Sequence, residues 1–353
     1  MTLSSYSFHV PTHIIVQQGG RHRLREHAGS LGTNPFIVAG DHGARDNGLL
    51  ETTGAQWATH AVYSGVPADP DLDVVDDAAK RCRRERCDFV VALGGGSVID
   101  VAKAVAGLAL NPGNVRHYIG PEPFSRGALP IVAVPTTAGS GSEVTPSAVL
   151  VDPEGPQKRT LKGGELFPRL ALLDVEVTTT LPPSVTRDTG LDALSQGIEG
   201  FLSARATPIG DAIARQVVAE VRTFLPQVLA RPGDLEARAA LHRAALLSGM
   251  VIAQSGTTLV HGMGYQYTLH AGVPHGRANA LLLTPVLQEE ARHQPARVAE
   301  LATLLGQPCA PEPEAAAEAI GLALHALLRE VDLSPAAADA GVDAGQLAAF
   351  AAA

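Results

Sequence analysis

Residues 87–110 read CDFVVALGGGSVIDVAKAVAGLAL. Within this stretch a strand-like pattern changes to a helical one, and this change indicates the fold class. An apolar run ends in three consecutive glycines, and Ser97–Leu110 then places apolar residues at helical spacing. A buried strand that turns directly into a helix is typical of an α/β sheet. Glycine amides and a helix N-terminus converge at this turn, which suits phosphate oxygens, although such turns often serve only as tight connections.

Further short apolar runs occur between Pro35 and Asp174, each bounded by Gly or Pro: PFIVAGD, LPIVAVPTT, SAVLVD and LALLD. These runs predict buried strands of an α/β sheet with helices between them. Beyond Pro182 the pattern is almost entirely helical, and 353 residues suffice for two substantial cores. The sequence therefore predicts an α/β domain over residues 1–181 and an all-α domain over residues 182–353.

The composition favours a small-molecule partner. The formal net charge is −9, whereas nucleic acids and anionic membranes are bound by concentrated basic surfaces. Three cysteines form neither a disulfide framework nor a zinc-binding spacing, which indicates a reducing compartment. No leader pattern and no run of about 18 apolar residues is present, so we expect a cytoplasmic protein.

A second polar loop strengthens the prediction of a dinucleotide site. Residues 135–143 read PTTAGSGSE and follow the run LPIVAV, so a second set of donors lies at a strand end. Asp41 ends the run PFIVAGD, where a carboxylate would accept hydrogen bonds from a ribose diol and repel a 2′-phosphate. The alternative for Asp41 is an ordinary exposed turn residue.

Four residues of the helical half suggest a metal site. Asp192 and Gln196 are one helical turn apart and share a face, while His261 and His275 lie beside glycines in a stretch poor in charged residues. Carboxylate and imidazole are common ligands of divalent first-row metals. Spacing alone leaves open whether these histidines bind a metal or are structural.

Four segments together resemble the iron-containing, or group III, alcohol dehydrogenase family, whose fold is shared with glycerol dehydrogenase and dehydroquinate synthase. The segments are LGGGSVIDVAKA, AVPTTAGSGSEVTP, LPPSVTRDTGLDALSQGIEG and HGMGYQYTL with VPHGRANALLL. The resemblance runs from about Pro35 to Leu287. It implies an N-terminal domain that binds NAD(P), a helical domain that binds the metal, and an active site in the cleft between them.

The resemblance also assigns cofactor contacts. It implies that the glycine turn holds the pyrophosphate, that the second loop lines the cofactor, and that Asp41 favours NAD over NADP. The implied cofactor-binding residues are Asp41, Gly95, Gly96, Ser97, Asp100, Thr136, Thr137, Ser140, Val149 and Lys158.

The resemblance implies that Asp192, His261 and His275 are three of four metal ligands. The family has a histidine where this chain has Gln196, a weaker ligand, so the affinity for iron(II) should fall and zinc becomes an alternative. A second family histidine, linked to proton transfer, is replaced by Tyr265. We therefore assign the catalytic roles to Tyr265 and His275.

The expected activity is metal-dependent hydride transfer between NAD(H) and a small alcohol, aldehyde or ketone, by a homo-oligomer such as a dimer. One alternative is a keto-acid reductase similar to maleylacetate reductase, for which Arg277 is the available cation beside His275. A dehydroquinate synthase-like lyase ranks low because few lysines and arginines accompany the metal motifs. A further alternative is a catalytically weakened relative that binds NAD. It is supported by Gln196, Tyr265 and an alanine-rich end where the family carries a further segment.

Overall fold

The computed structural model describes residues 5–121, 124–155 and 157–352. Two compact units can be separated: one spans Val10–Pro182, and the other joins the chain from Pro183 onward with the N-terminal segment up to His9. The main chain of His9 bonds to the Gln254 side chain through both its N–H and its C=O, at 3.0 and 2.9 Å. This attachment differs from the predicted division, which placed the whole N-terminus in the first domain.

The first unit contains all nine described strands and four α-helices. Its strands are β1 His13–Val16, β2 Pro35–Gly40, β3 Ala61–Val66, β4 Phe89–Gly94, β5 Gly120–Pro121, β6 Ile131–Pro135, β7 Ser147–Asp152, β8 Gln157–Lys162 and β9 Leu170–Leu173. Its α-helices are α1 Leu24–Ala28, α2 Leu49–Gly54, α3 Leu72–Arg84 and α4 Gly96–Leu110, and short 3₁₀ turns make up the rest.

Six strands form one parallel sheet in the order β1-β9-β6-β4-β2-β3. Alternate residues of each central strand enter different cores: Val90 and Ala92 of β4 pack on one face, and Val91 and Leu93 on the other. A parallel sheet is covered on both faces, so its strands appear as continuous apolar runs rather than alternating patterns. From β2 the sheet grows to β3 on one side and to β4 on the other, which makes this junction a topological switch point.

The run SAVLVD, predicted as part of the α/β sheet, lies elsewhere. As β7 it pairs antiparallel with β8 in a separate three-stranded sheet, and β8 also pairs with β5. Helix α4 contacts both β4 and β7, and Val98–Leu108 is almost entirely buried as a result. The prediction was wrong here because a strand pattern in the sequence does not show which other strand it pairs with.

The basic run Lys80–Arg86 lies at the C-terminal end of helix α3 and just beyond it. Helix α3 begins after Asp71, whose side chain accepts a hydrogen bond from the Val74 N–H at 2.9 Å, and it buries Val75 and Cys82. The basic residues of the run are exposed.

The second unit consists of helices. They are α5 Pro183–Leu202, α6 Pro208–Ala230, α7 Leu235–Ser255, α8 Leu259–Ala271, α9 His275–Glu290, α10 Pro295–Leu304, α11 Pro313–Glu330 and α12 Ala344–Ala352. Helix α5 is buried on nearly all sides, by α6, α7 and α9. The predicted fold class, an α/β domain followed by an all-α domain, is confirmed. In the described ranges, no helix combines the length and the apolar character that crossing a bilayer requires.

Candidate metal centre and dinucleotide site

Three helices of the second unit bring the predicted metal ligands together. Asp192 lies on α5, His261 on α8, and His275 is the first residue of α9. One ligand atom from each lies within 4.8 Å of the others. Asp192 Oδ1 is 3.4 Å from His261 Nε2 and 3.7 Å from His275 Nε2. One carboxylate and two imidazoles thus converge on one point, a donor set that suits a divalent first-row cation.

Close packing of α5 against α9 sets the spacing of this trio. A Cβ on Gly276 would overlap the Asp188 carbonyl oxygen and would lie 3.1 Å from Asp192 Cβ. Glycine therefore lets the start of α9, and with it His275, approach α5. The Pro274-His275-Gly276 sequence is consequently a packing requirement as well as a ligand motif.

We expect Gly276→Ala to lower the free energy of unfolding of the helical unit by about 2 kcal/mol, because overpacking a tight contact forces the backbones apart. The measurement is urea denaturation followed by far-UV circular dichroism. Gly262→Ala is the matched control, since its Cβ would meet nothing within 4 Å on α8 and alanine favours a helix by up to about 1 kcal/mol. Equal stability of the two variants would contradict the close approach of α5 and α9.

A second buried carboxylate fixes the His261 ring. Glu199 Oε2 hydrogen-bonds to His261 Nδ1, and Glu199 Oε1 accepts from the N–H and the hydroxyl of Thr258, both at 2.8 Å. Nε2 of His261 therefore faces Asp192. A carboxylate behind a metal-binding histidine sets its tautomer and raises its basicity.

The same contacts set the protonation states of His261, Asp192 and Glu199. Burial alone would lower the pKa of His261, but its hydrogen bonds with Asp192 and Glu199 outweigh burial and raise the pKa to about 9. Burial would raise the pKa of both carboxyl groups, whereas the histidine contacts hold each pKa below its usual value. Both carboxylates are therefore ionised at neutral pH. A cation that binds His261 replaces a proton there.

Gln196 lies beside the trio, but its amide is bonded at both ends. Its Nε2 donates to Asp192 Oδ2 at 3.1 Å, and its Oε1 accepts from the Ser248 hydroxyl at 2.7 Å. The side chain is buried. In this orientation it holds the second oxygen of Asp192, so that Oδ1 faces the histidines.

Asn279, which the sequence reasoning missed, lies against all three predicted ligands. Its Nδ2 is 3.1 Å from Asp192 Oδ1, 3.2 Å from His261 Nε2 and 3.3 Å from His275 Nε2. It is fully buried, and its Oδ1 has no hydrogen-bond partner in the described part of the chain. Its position one helical turn after His275 was the available signal, as was the position of Glu199 two turns after Asp192.

Tyr265 and Arg277 flank the cluster in different ways. The Tyr265 ring stacks on His275 with centroids 5.4 Å apart and planes at 16°. Arg277 makes two hydrogen bonds to the buried Asp188 carboxylate, at 3.3 and 3.1 Å. The charge of Arg277 is thus engaged within the helical unit.

In the first unit, two loops meet at the carboxyl edge of the six-stranded sheet. They follow the neighbouring strands β4 and β6. A Cβ on Gly95 would lie 2.8 Å from Thr137 Oγ1, and one on Gly96 would lie 2.7 Å from Ser140 Oγ. The glycines therefore permit contact between the two predicted loops. Thr136 is buried behind them, and Ser97 opens helix α4.

Asp41 is exposed directly after β2, at the switch point of the sheet. A Cβ on Gly65 of β3 would lie 3.1 Å from its Oδ1, so the carboxylate leans toward β3. In the same loop, the Cβ position of Gly43 is 3.6 Å from Thr136 Oγ1. Three loops, after β2, β4 and β6, thus gather where dinucleotides bind open α/β sheets.

Three other predicted cofactor residues are engaged inside the protein. Asp100 accepts from the Ser142 hydroxyl at 2.6 Å and from the Val149 N–H at 2.9 Å, so its two oxygens connect α4 to the second loop and to β7. Lys158 pairs with Asp69 through its ammonium group. Asp100 thus supports the second loop and β7, whereas Lys158 connects β8 to the segment after β3.

Lys103 is a buried cation that the sequence reasoning missed. Its Nζ donates to Ser142 Oγ at 2.7 Å, Thr145 Oγ1 at 2.9 Å and the Ser147 carbonyl at 2.8 Å, and it lies 3.8 Å from Asp100. Burial lowers its pKa to about 8, with the neighbouring carboxyl groups opposing the shift. A lone lysine among the apolar residues of α4 was the signal for this role.

Comparisons with known proteins cover both units of the chain. Residues 11–175 match the family model for iron-containing alcohol dehydrogenase, and residues 186–353 match that for the C-terminal part of the Fe-containing alcohol dehydrogenase family. Alcohol dehydrogenase 4 of Schizosaccharomyces pombe (strain 972) is 32% identical over 342 residues, which cover 95% of this chain and 80% of the relative.

Two solved structures extend this similarity to the fold. A crystal structure of 1,3-propanediol oxidoreductase gives a TM-score of 0.93 at 30% identity and covers 99% of this chain and 92% of that one. Sulfoacetaldehyde reductase from Bifidobacterium kashiwanohense in complex with NAD+ gives a TM-score of 0.84 at 31% identity and covers 98% and 91%.

Proposed function

Because the chain belongs to the iron-containing alcohol dehydrogenase family, we propose that it is a metal-dependent NAD(H) oxidoreductase. It interconverts a small alcohol and its aldehyde or ketone by hydride transfer. The observation that carries this proposal is the convergence of Asp192, His261 and His275 on one point of the helical unit.

The residues of this cluster fit a divalent cation, which when bound supplies the Lewis acidity that polarises an alcohol or carbonyl oxygen. Asp192 contributes a negative charge, and His261 and His275 contribute imidazole nitrogens. Glu199 fixes the His261 ring through Nδ1, so Nε2 faces Asp192 and would be the nitrogen that binds the cation. Burial of Asp192 and His261 limits competition from water.

We propose iron or zinc as the cation. Both accept imidazole and carboxylate ligands, and the amide at Gln196 in place of a third imidazole weakens the preference for iron(II) that the family name implies. Metal analysis of the purified protein, together with activity after reconstitution with each ion, identifies the metal.

Tyr265 is the proposed partner for the proton that leaves or joins the substrate hydroxyl. Its ring stacks on that of His275, and it stands where the family has a histidine linked to proton transfer. His275 combines its role as a ligand with that of orienting the phenol ring.

NAD, with NADP as the less favoured alternative, is the proposed cofactor. Gly95, Gly96 and Ser97 offer backbone donors and a helix N-terminus to a pyrophosphate, next to the hydroxyls of Thr137 and Ser140. The structure of a relative bound to NAD+ supports this assignment. Asp100, Lys103, Val149 and Lys158 are proposed to hold the surrounding loops in place.

We expect Asp41→Ser to raise kcat/KM with NADPH about tenfold relative to NADH, because an exposed carboxylate at this strand end repels a 2′-phosphate. Steady-state kinetics with both cofactors measures the ratio. Asp46→Ser removes an exposed acid of the same loop and is the matched control. An unchanged ratio for Asp41→Ser, or an equal change in both variants, would rule out a specific contact of Asp41 with the ribose.

The two alternative functions receive less support. A reductase for a dicarboxylate needs a cation that is available to substrate, and Arg277 is already paired with Asp188. A relative that has lost catalysis would be free to lose its metal ligands, whereas here they converge. Alcohol and propanediol dehydrogenases among the similar proteins favour oxidoreduction of an alcohol.

The proposed function is tested with protein stripped of metal and reloaded with iron(II), zinc or manganese. We expect NADH oxidation with at least one short aldehyde or ketone, and NAD reduction with the corresponding alcohol, only after reloading. An absence of turnover with every ion and every carbonyl compound of the panel would overturn the proposal.

A further inference from the structure

We propose that the fourth donor of the metal centre is the side-chain carbonyl oxygen of Asn279, and that Gln196 acts on Asp192 instead of binding the metal. This inference rests on the proposed function, since it concerns the same cation. It assigns a donor that neither the motif spacing nor the trio of Asp192, His261 and His275 contains.

The first support is geometric. Tetrahedral coordination with bonds of about 2.0–2.1 Å places any two donors about 3.4 Å apart. The Asn279 amide is 3.1, 3.2 and 3.3 Å from the three ligand atoms, and Asp192 Oδ1 is 3.4 and 3.7 Å from the two imidazole nitrogens. The Asn279 amide, here through Nδ2, therefore lies as close to each atom of the trio as a fourth donor to the same cation would.

The second support is the amide oxygen itself. Asn279 is fully buried, and its Oδ1 has no hydrogen-bond partner among the described residues. A half-turn about the Cβ–Cγ bond exchanges Oδ1 and Nδ2, which are close in size. A cation attracts the oxygen lone pairs and repels the amide N–H groups, so metal binding selects the orientation with Oδ1 inward. Oδ1 thereby gains the cation as its partner, and the NH2 group turns toward Gly264 of α8.

Helix α8 bounds the Asn279 amide. On the side away from the trio the amide lies over Gly264 of α8, where a Cβ would overlap Oδ1. Any side chain at position 264 would therefore push the amide from the fourth corner. Glycine here keeps that space open.

Gln196 cannot fill the fourth corner without giving up two bonds. Its oxygen accepts from Ser248 and its Nε2 donates to Asp192 Oδ2. A carboxylate prefers an amide N–H to an amide oxygen, so the Asp192 contact opposes reversal of the Gln196 amide. Gln196 is thus a positioning residue that leaves Asp192 Oδ1 for the cation.

The test uses cobalt(II) and zinc(II) with the full-length apoprotein, its Asn279→Ala variant and its Gln196→Ala variant. We expect Asn279→Ala to weaken metal binding at least tenfold, in competition with a chelator, and to change the visible d–d absorption of bound cobalt. We expect Gln196→Ala to weaken binding while leaving the shape of that absorption unchanged. Asn279→Asp retains an oxygen at the same place and should bind metal as the unsubstituted protein does. Circular dichroism shows whether the alanine variant is folded, and the aspartate variant tests the donor oxygen even if it is not.

Affinity alone does not separate a ligand from a neighbour of ligands, because outer residues also change metal affinity 10–100-fold. A crystal structure of the zinc-loaded protein separates them. We expect an Asn279 side-chain atom at about 2.0–2.2 Å from zinc. Zinc held by the trio with the Asn279 amide more than about 3 Å away would overturn the inference and leave the proposed function standing. No binding of any divalent ion by the unsubstituted protein would overturn both.

Discussion

Asp192→Ala is expected to weaken binding of the divalent cation about 10³-fold, roughly 4 kcal/mol, and to abolish alcohol oxidation at ordinary metal concentrations. Asp192 is the one carboxylate of the ligand trio, and its Oδ1 is the atom shared by His261, His275 and Asn279. Alanine removes a direct donor and a negative charge together. The two imidazoles that remain lose the group that aligns them.

The measurement is isothermal titration of the apoprotein with zinc, alongside turnover of an alcohol with NAD. Glu220→Gln is the matched control: Glu220 is a buried acid of the same unit, on α6, and it pairs with Arg243 away from the cluster. It should bind zinc within about threefold of the unsubstituted protein. If Asp192→Ala bound zinc as tightly as Glu220→Gln, the trio would not be the metal site.

The helical half shows how much of a metal site residue types and spacing can predict. They suggested Asp192, His261 and His275 as a possible metal site, and the resemblance to the family implied that all three are ligands. Spacing alone could not show whether they meet, since that depends on how α5, α8 and α9 pack. Glu199 and Asn279 were missed although each shares a helix face with a predicted ligand, because a shared face does not reveal what lies opposite.

The α/β half shows the complementary limit. Buried runs such as PFIVAGD and CDFVVALGGG predicted β2 and β4, because strands covered on both faces must be continuously apolar. The run SAVLVD was assigned to the wrong sheet, since pairing partners are chosen by tertiary packing. The short segments β1 and β3 gave no signal strong enough for the prediction. The roles of Asp100 and Lys103 depend on contacts with residues about 40 positions away.

A pH-dependent loss of stability is the second large effect that the structure predicts, and its origin is Glu143. This residue is 2% exposed in the loop after β6, and its Oε1 has no hydrogen-bond partner among the described residues. Burial raises its pKa from 4.5 to about 7, while its own backbone N–H and the charge of Lys103 oppose the shift only in part. Asp100 is the other charged group of this cluster, paired with Lys103.

The sign follows from proton linkage. Between pH 4.5 and about pH 7 the folded state holds the Glu143 proton and the unfolded state has released it. The free energy of unfolding therefore falls as pH rises through this window, by up to about 3 kcal/mol. Lys103 acts at higher pH: its pKa is lowered from 10.5 to about 8, so from pH 8 upward the unfolded state binds more protons and stability rises again.

Glu143→Gln is expected to remove the decline between about pH 5 and about pH 7, because a neutral amide has no proton to lose in that window. Trp57 is the chain's single tryptophan, 6% exposed and in the same unit, so its fluorescence during urea denaturation follows this unit directly. Glu51→Gln, at an exposed position of α2, is the matched control and should keep the slope of the unsubstituted protein. If the free energy of unfolding changed with pH equally in the unsubstituted protein and in Glu143→Gln, the prediction would be wrong. The buried carboxyl group would then be ionised in the folded state and its charge balanced by Lys103.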